Sequence, residues 1–352
     1  MIKFEKKFTD FAAIRNTRKP DFSNIIKILN NQKPSRFTLF EFFLNNPLEF
    51  LLSGRSEKPE GQTEVLKCRI EAFCAAGYDY TTIHASDFAF KHRNNDHNAK
   101  SISVNEGAII TNREEFKAYN WESPNDYYNG RVENLCTYLP DGMKFIIYGP
   151  GGVLENVMAL TGYDNLCYMI ADDEELVFEI FEKVGLRLIE YYERIIDLDC
   201  VGAIISNDDW GFNTQTMLST SDMRKFVFPW HKKIVDLAKK ANKPAILHSC
   251  GQLINVYDDI IDDIGFNGKH SYEDNIMPVE QAYEMLKGRI AVLGGIDLDF
   301  VCRKTPEEVY ERACNLLAQT NGIGYGLGTG NSIPYYTPNE NYLAMISAVL
   351  FN

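Results

Sequence analysis

A chain of 352 residues with 45% apolar and 24% charged side chains has room for two ordinary domains or one large barrel, and its balance is that of a folded globular protein. A formal charge of -13, from 49 acidic against 36 basic residues, repels phosphate backbones and argues against a nucleic-acid partner. No stretch reaches the ~18–20 uninterrupted apolar residues of a membrane span and the start lacks a secretory h-region, so a cytoplasmic protein is expected, its eight cysteines reduced. Residues 1–35 read as a helical extension capping the lower end of the fold. Eight short apolar runs follow, alternating with helical stretches: Phe37–Glu41, Asp79–His84, Lys144–Tyr148, Val201–Ser206, Pro244–His248, Phe266–His270, Arg289–Leu293 and Ile323–Leu327. That rhythm predicts an α/β fold, a single (β/α)8 TIM barrel over 1–352. About 60 residues separate the second and third runs, including the polar stretch Lys91–Asn105. Residues 88–140 are therefore an expected insertion, a lid or substrate loop on the face where strands end. Between the third and fourth runs, Val177, Ile180, Phe181, Val184, Leu188, Tyr191 and Ile195 form one helical stripe over Asp173–Ile196. Met223, Phe226, Val227, Trp230, Ile234 and Leu237 form another. Capping signals stand at Asp172-Asp173-Glu174-Glu175, Thr305-Pro306-Glu307-Glu308 and Thr337-Pro338-Asn339-Glu340, the last two with Pro at the first helical position.

In such barrels chemistry gathers at the C-terminal ends of the strands, so the residues there are the candidates. They are Glu41; His84 with Asp87; Tyr148; Asp208, Asp209 and Trp210; His248 and Cys250; His270 with Glu273 and Asp274; Asp297; and Asn331. His248-Ser249-Cys250-Gly251 offers an imidazole and a thiolate two residues apart, the N and S donors that Zn²⁺ favours. Asp208, Asp209, Glu41, His270 and Glu273 are candidate catalytic groups, able to hold a proton, orient a substrate or add an oxygen ligand. Glu41, a charge inside FTLFEFFL, must be paired or protonated if buried. His84, Tyr148, Trp210 and Asn331 are candidate substrate contacts. Gly326-Leu327-Gly328-Thr329-Gly330 lacks dinucleotide spacing, and no HExxH, G-x-S-x-G or Walker motif is present, which argues against hydride transfer, serine hydrolysis and NTP use.

Gly149-Pro150, Asp208-Asp209-Trp210-Gly211 through Phe226-Val227-Phe228-Pro229, His248-Ser249-Cys250-Gly251, Gly294-Gly295-Ile296-Asp297 and Ile333-Pro334 with Thr337-Pro338 and Glu340-Asn341 occur in that order. With these landmarks the chain resembles the uroporphyrinogen decarboxylase superfamily of barrels, which includes the decarboxylase and the zinc-dependent methylcobamide:thiol methyltransferases. The decarboxylase's R-Q-A-G-R motif is missing: Arg36 is followed by FTLFEFFLNNPLEFLLSG, with no Lys or Arg before Arg55. His248 and Cys250 match the zinc pair of the methyltransferase branch, whose third ligand, a cysteine, falls by spacing at Asn331. Glu273, His270, Asp209 and Glu41 are the candidates to complete the shell in its place. The resemblance implies a corrinoid-dependent methyltransferase that moves a methyl group between cobalamin and a thiol or other small acceptor, with Zn²⁺ assisting. The cobalamin would arrive on a partner corrinoid protein, and a homo-oligomer is compatible with this reading. The alternatives are decarboxylation of a porphyrinogen, with Asp208 or Asp209 stabilising positive charge on a pyrrole nitrogen, and a non-catalytic barrel that only binds.

Overall fold

The computed structural model describes residues 2–92 and 107–352. The expected runs become eight strands: β1 Thr38–Leu39, β2 Tyr80–His84, β3 Lys144–Tyr148, β4 Val201–Asn207, β5 Ala245–His248, β6 Gly268–His270, β7 Ala291–Leu293 and β8 Tyr325–Leu327. All pair in parallel, in the order β1-β8-β7-β6-β5-β4-β3-β2, which is that of a (β/α)8 barrel. Strands such as FIIY and AILH are apolar along most of their length because both faces are covered.

Among the described residues no ladder joins β1 to β2. Side chains bridge that seam instead. The Tyr80 hydroxyl accepts from Glu41 N and donates to Glu41 O, both at 2.7 Å, and Thr82 Oγ1 donates to Phe42 O at 2.7 Å.

In the N-terminal segment the helix Ser23–Leu29 buries Ile25, Ile28 and Leu29 against the strands. A Cβ placed on Gly268 would lie 2.7 Å from Leu29, and one on Gly326 3.2 Å from Ile28, so these strand glycines make room for the helix. The stripe over Asp173–Ile196 becomes the helix Glu174–Glu193, and its apolar side faces inward as the spacing predicts. Two hydroxyls near its end pin the strands that carry the site: Tyr191 Oη accepts from Ala85 N and donates to Tyr148 O, and Tyr192 Oη donates to Ile205 O.

Three local expectations change. Asp173, not Asp172, caps the helix Glu174–Glu193, by accepting from Leu176 N. Thr305 and Glu308 form the expected capping box, whereas the last helix, Asn339–Leu350, starts beyond Pro338 without a side-chain cap. The stripe from Met223 opens with a π turn, Met223–Val227, before the helix Phe228–Lys240. Pro229 has no N–H to continue an i→i−4 ladder through that point.

Of the 88–140 insertion, the helix Arg113–Ala118, the 3-10 turn Pro124–Tyr127 and the helix Arg131–Cys136 are described. Apart from Lys91 and His92, the polar stretch Lys91–Asn105 lies outside the described residues. Cys136 and Cys200 are joined as a disulfide across a Cα separation of 5.7 Å, tying the insertion to the turn before β4. This corrects the expectation that all eight cysteines are thiols. No described helix is long and apolar enough to cross a membrane.

Candidate active site

The ends of β4 and β5 cross at the barrel mouth. Cys250 N donates to Asp209 Oδ1 at 2.8 Å, Trp210 N to Ser249 Oγ at 3.1 Å and Asp208 N to His248 O at 2.9 Å. Behind these residues the two backbones nearly touch. A Cβ on Gly251, whose φ is +91°, would fall 2.2 Å from Gly211, so a side chain here would push the two loops apart. This crossing brings an Asp209 carboxylate oxygen, a His248 ring nitrogen and Cys250 Sγ to within 4.8 Å of one another. Two of the three are the H-x-C pair singled out in the sequence. The third is the carboxylate that follows β4.

Without a cation the thiol of this cluster keeps its proton and the imidazole stays neutral. Burial, then the Asp209 carboxylate, pushes the Cys250 thiol up to about 12, while burial holds His248 well below the usual imidazole range. A partly buried set of N, S and O donors whose thiol ionises only beside added positive charge fits a divalent ion such as Zn²⁺. Asn331 reaches the same sulfur as a donor, its Nδ2–H pointing at Cys250 Sγ over 3.2 Å. His270 stands behind His248, with their Nδ1 atoms 2.8 Å apart, and its Nε2 lies 3.3 Å from Thr329 O.

Several candidates sit elsewhere than expected. Asp208 is fully buried and accepts four hydrogen bonds, from Leu154 N, Glu155 N, Trp210 Nε1 and His231 Nε2, at 2.8–2.9 Å. It anchors the start of the helix Val153–Thr161 and has no free edge for a substrate. Trp210, expected to touch substrate, is 0% exposed, its indole N–H spent on Asp208 and its ring packed on Phe228 and His231. Glu41 is also 0% exposed. Its Oε1 accepts from Thr329 N at 2.7 Å and its Oε2 lies 2.8 Å from Thr329 Oγ1. Burial pushes its pKa up to about 8. Ser206, His231 and Asp208 form a Ser-His-Asp chain, but at 3%, 0% and 0% exposure no acyl group can reach the hydroxyl.

His84 and Tyr148 pack as tilted rings with centroids 3.8 Å apart, and Phe42 spans from Tyr148, at 5.2 Å, to His248, at 4.5 Å. These rings form an aromatic wall beside the donor cluster. Burial, with Arg69 and Arg131 nearby, lowers His84 to about 4, so it is neutral at pH 7. Across the mouth, Glu273 is half-buried: its carbonyl accepts from Ile276 N and Met277 N, while its carboxylate has no hydrogen-bond partner among the described residues. Burial, then Asp297 and Asp209, raises its pKa. It lines a cavity of about 580 Å³ together with Tyr272, Asp297, Phe300 and Asn331.

Three residues escaped the sequence reading. His231 sits within the stripe of the helix Phe228–Lys240, where it reads as helix interior. Glu155, pushed up to about 8 by burial and by Asp208 and Asp209, is a third carboxylate beside the β4 end. Lys269 is buried in β6, donating to Ser271 O at 2.6 Å and Ser249 O at 3.3 Å, and burial lowers it to about 8. Its signal was a lone cation in a strand. The helix start is equally tight: a Cβ on Gly152 would fall 2.1 Å from the Asp208 side chain. Gly152→Ala is expected to destabilise the protein by roughly 2–3 kcal/mol, seen as a lower urea midpoint with an unchanged m-value.

The sequence profile of the family described as Uroporphyrinogen decarboxylase (URO-D) matches residues 146–350, more than half of the chain. The chain belongs to the uroporphyrinogen decarboxylase family. Among curated relatives, the methylcobamide:CoM methyltransferase MtbA of Methanosarcina acetivorans is 31% identical over 124 residues, covering 35% of this chain and 34% of that protein. A uroporphyrinogen decarboxylase of Anaeromyxobacter dehalogenans is 25% identical over 224 residues, covering 62% of this chain and 61% of its own length. Both matches thus span less than two thirds of the relative. A methyltransferase from Methanosarcina mazei superposes with a TM-score of 0.69 at 13% identity, over 94% of this chain and 98% of that one, which supports the barrel fold. Uroporphyrinogen decarboxylase family members with methyltransferase and decarboxylase names therefore both stand among the relatives.

Proposed function

We propose that this barrel is a cytoplasmic methyltransferase that moves a methyl group between a corrinoid, carried on a partner protein, and a thiol or other small acceptor, at a Zn²⁺ held by Asp209, His248 and Cys250. The observation that carries the reading is the convergence of those three donor atoms within 4.8 Å. When bound, Zn²⁺ supplies the charge that lets a thiol lose its proton near neutral pH. The chain's own groups do the rest. Asp209 holds the Cys250 backbone, the wall of Phe42, Tyr148 and His84 keeps water from one side, and Glu273, unpaired at the cavity, takes or returns a proton.

The decarboxylase reading is less well supported. Asp208 is saturated by four donors, which leaves only Asp209 to face a pyrrole nitrogen. Arg36, the arginine nearest the β1 run, is bound to Asp79 and to Lys19 O, and Arg55 to Glu64 and Glu71, so neither is free to grip a porphyrinogen carboxylate. The reading as a binding-only barrel rested on the loss of a ligand at Asn331, and Asp209 offers the missing donor.

Elemental analysis of the purified chain is expected to show about one zinc per molecule, with Cys250→Ala losing it, and transfer from methylcobalamin to a small thiol is expected to fall with the metal. Metal-free protein with full transfer activity would contradict the proposal.

A further inference from the structure

The loop after β8 touches the sulfur of the cluster and the histidine that stands behind His248, and it is held from below by Glu41. Thr329 Oγ1 lies 2.8 Å from Glu41 Oε2 and 2.6 Å from Asn331 O. A carbonyl only accepts, and a hydroxyl has one proton. For both contacts to be hydrogen bonds, Thr329 donates to Asn331 O and accepts from a protonated Glu41. The same residue's carbonyl faces His270 Nε2 at 3.3 Å, and Asn331 Nδ2 donates to Cys250 Sγ at 3.2 Å.

Proton counting extends to the imidazoles. Thr329 O can only accept, so His270 carries its proton on Nε2. The contact of 2.8 Å between the Nδ1 atoms of His270 and His248 has room for one proton. His270 is 0% exposed and among the described residues has no carboxylate partner, so it is neutral, and that shared proton belongs to His248. His248 is then left with an unprotonated Nε2.

We infer that Glu41 and His270 are positioning residues: Glu41 anchors Thr329, whose carbonyl orients His270, and His270 locks His248 in the tautomer with its proton on Nδ1 and its lone pair on Nε2. This is the tautomer a metal requires of a histidine whose other nitrogen is engaged. The significance of the lock rests on the metal reading above; its existence does not. The residue at the expected third-ligand position, Asn331, serves the same loop as a donor to the sulfur.

The test is ¹⁵N-histidine NMR of the full chain without metal, with signals assigned by single substitutions, so it reads the lock even if no metal binds. The expected result is one His248 tautomer, protonated on Nδ1. In His270→Leu the two tautomers should mix and zinc affinity fall at least tenfold. His270→Asn, which keeps an acceptor near the Nδ1 position, should restore much of both. A wild-type His248 protonated on Nε2, or a folded His270→Leu with unchanged tautomer and zinc affinity, would overturn the inference. Failure of His270→Leu to fold leaves the wild-type spectrum to decide. A locked tautomer in a chain that never takes up zinc would uphold the relay and sink the metal reading.

Discussion

Asp208→Ala is expected to unfold the protein, while Asp209→Ala, one residue along, is expected to fold normally and lose its metal. Removing the Asp208 carboxylate strands four buried donors: two backbone N–H groups at the start of the helix Val153–Thr161, the Trp210 indole and His231. At roughly 1–3 kcal/mol for each uncompensated group, the loss is about 4 kcal/mol even at the low end, a large part of a typical domain's stability. Asp208→Asn should do little better, because its amide N–H₂ would point one donor at another. Asp209 accepts from Cys250 N, faces the Cys250 thiol and stands beside the Glu155 carboxyl. Its removal should cost about 1 kcal/mol or less. Urea midpoints and zinc content measured on both variants separate the roles. A stable Asp208→Ala chain, or an Asp209→Ala chain that keeps zinc at wild-type affinity, contradicts this division.

That pair also marks where sequence reasoning stops. The eight strands were legible because buried parallel strands are short apolar runs bounded by polar or glycine residues, and because the helices between them carry one-sided stripes. His248 and Cys250 were legible because their donor chemistry is specific. Asp208 and Asp209 were not separable, since they lie past the last ladder pair of β4, where strand alternation no longer says which side chain faces the mouth. Glu41 was visible as a misplaced charge, but its partner Thr329 lies 288 residues away. Cys136 and Cys200, 64 residues apart, carry no spacing signal of a bond. Asn331 matched a ligand position by spacing alone, and only its reach to Cys250 Sγ shows it acting as a donor.

Glu41→Gln is expected to remove the share of a fall in stability between about pH 4.5 and pH 8 that Glu41 causes. Burial raises the Glu41 carboxyl from its ordinary value of 4.5 to about 8, so over that window the folded chain keeps a proton that the unfolded chain has released. More protons on the folded state means that stability declines as pH rises, flat below the window, where both states are protonated, and flat above it, where both are ionised. The full shift corresponds to about 5 kcal/mol. The neighbouring groups Tyr78, Tyr80, Tyr325 and Tyr342 are all raised above the ordinary tyrosine range, so none adds a slope of its own there. Glutamine can accept from Thr329 N through its carbonyl and donate to Thr329 Oγ1 through its amide, which reproduces the protonated acid. The variant should therefore match wild type within about 1 kcal/mol at pH 4 and exceed it by several kcal/mol at pH 8. Urea unfolding of both chains at pH 4, 6 and 8 reads the difference directly. Curves that run parallel across the three pH values would mean that Glu41 is ionised in the folded protein, and Thr329 would then have no proton left for Asn331.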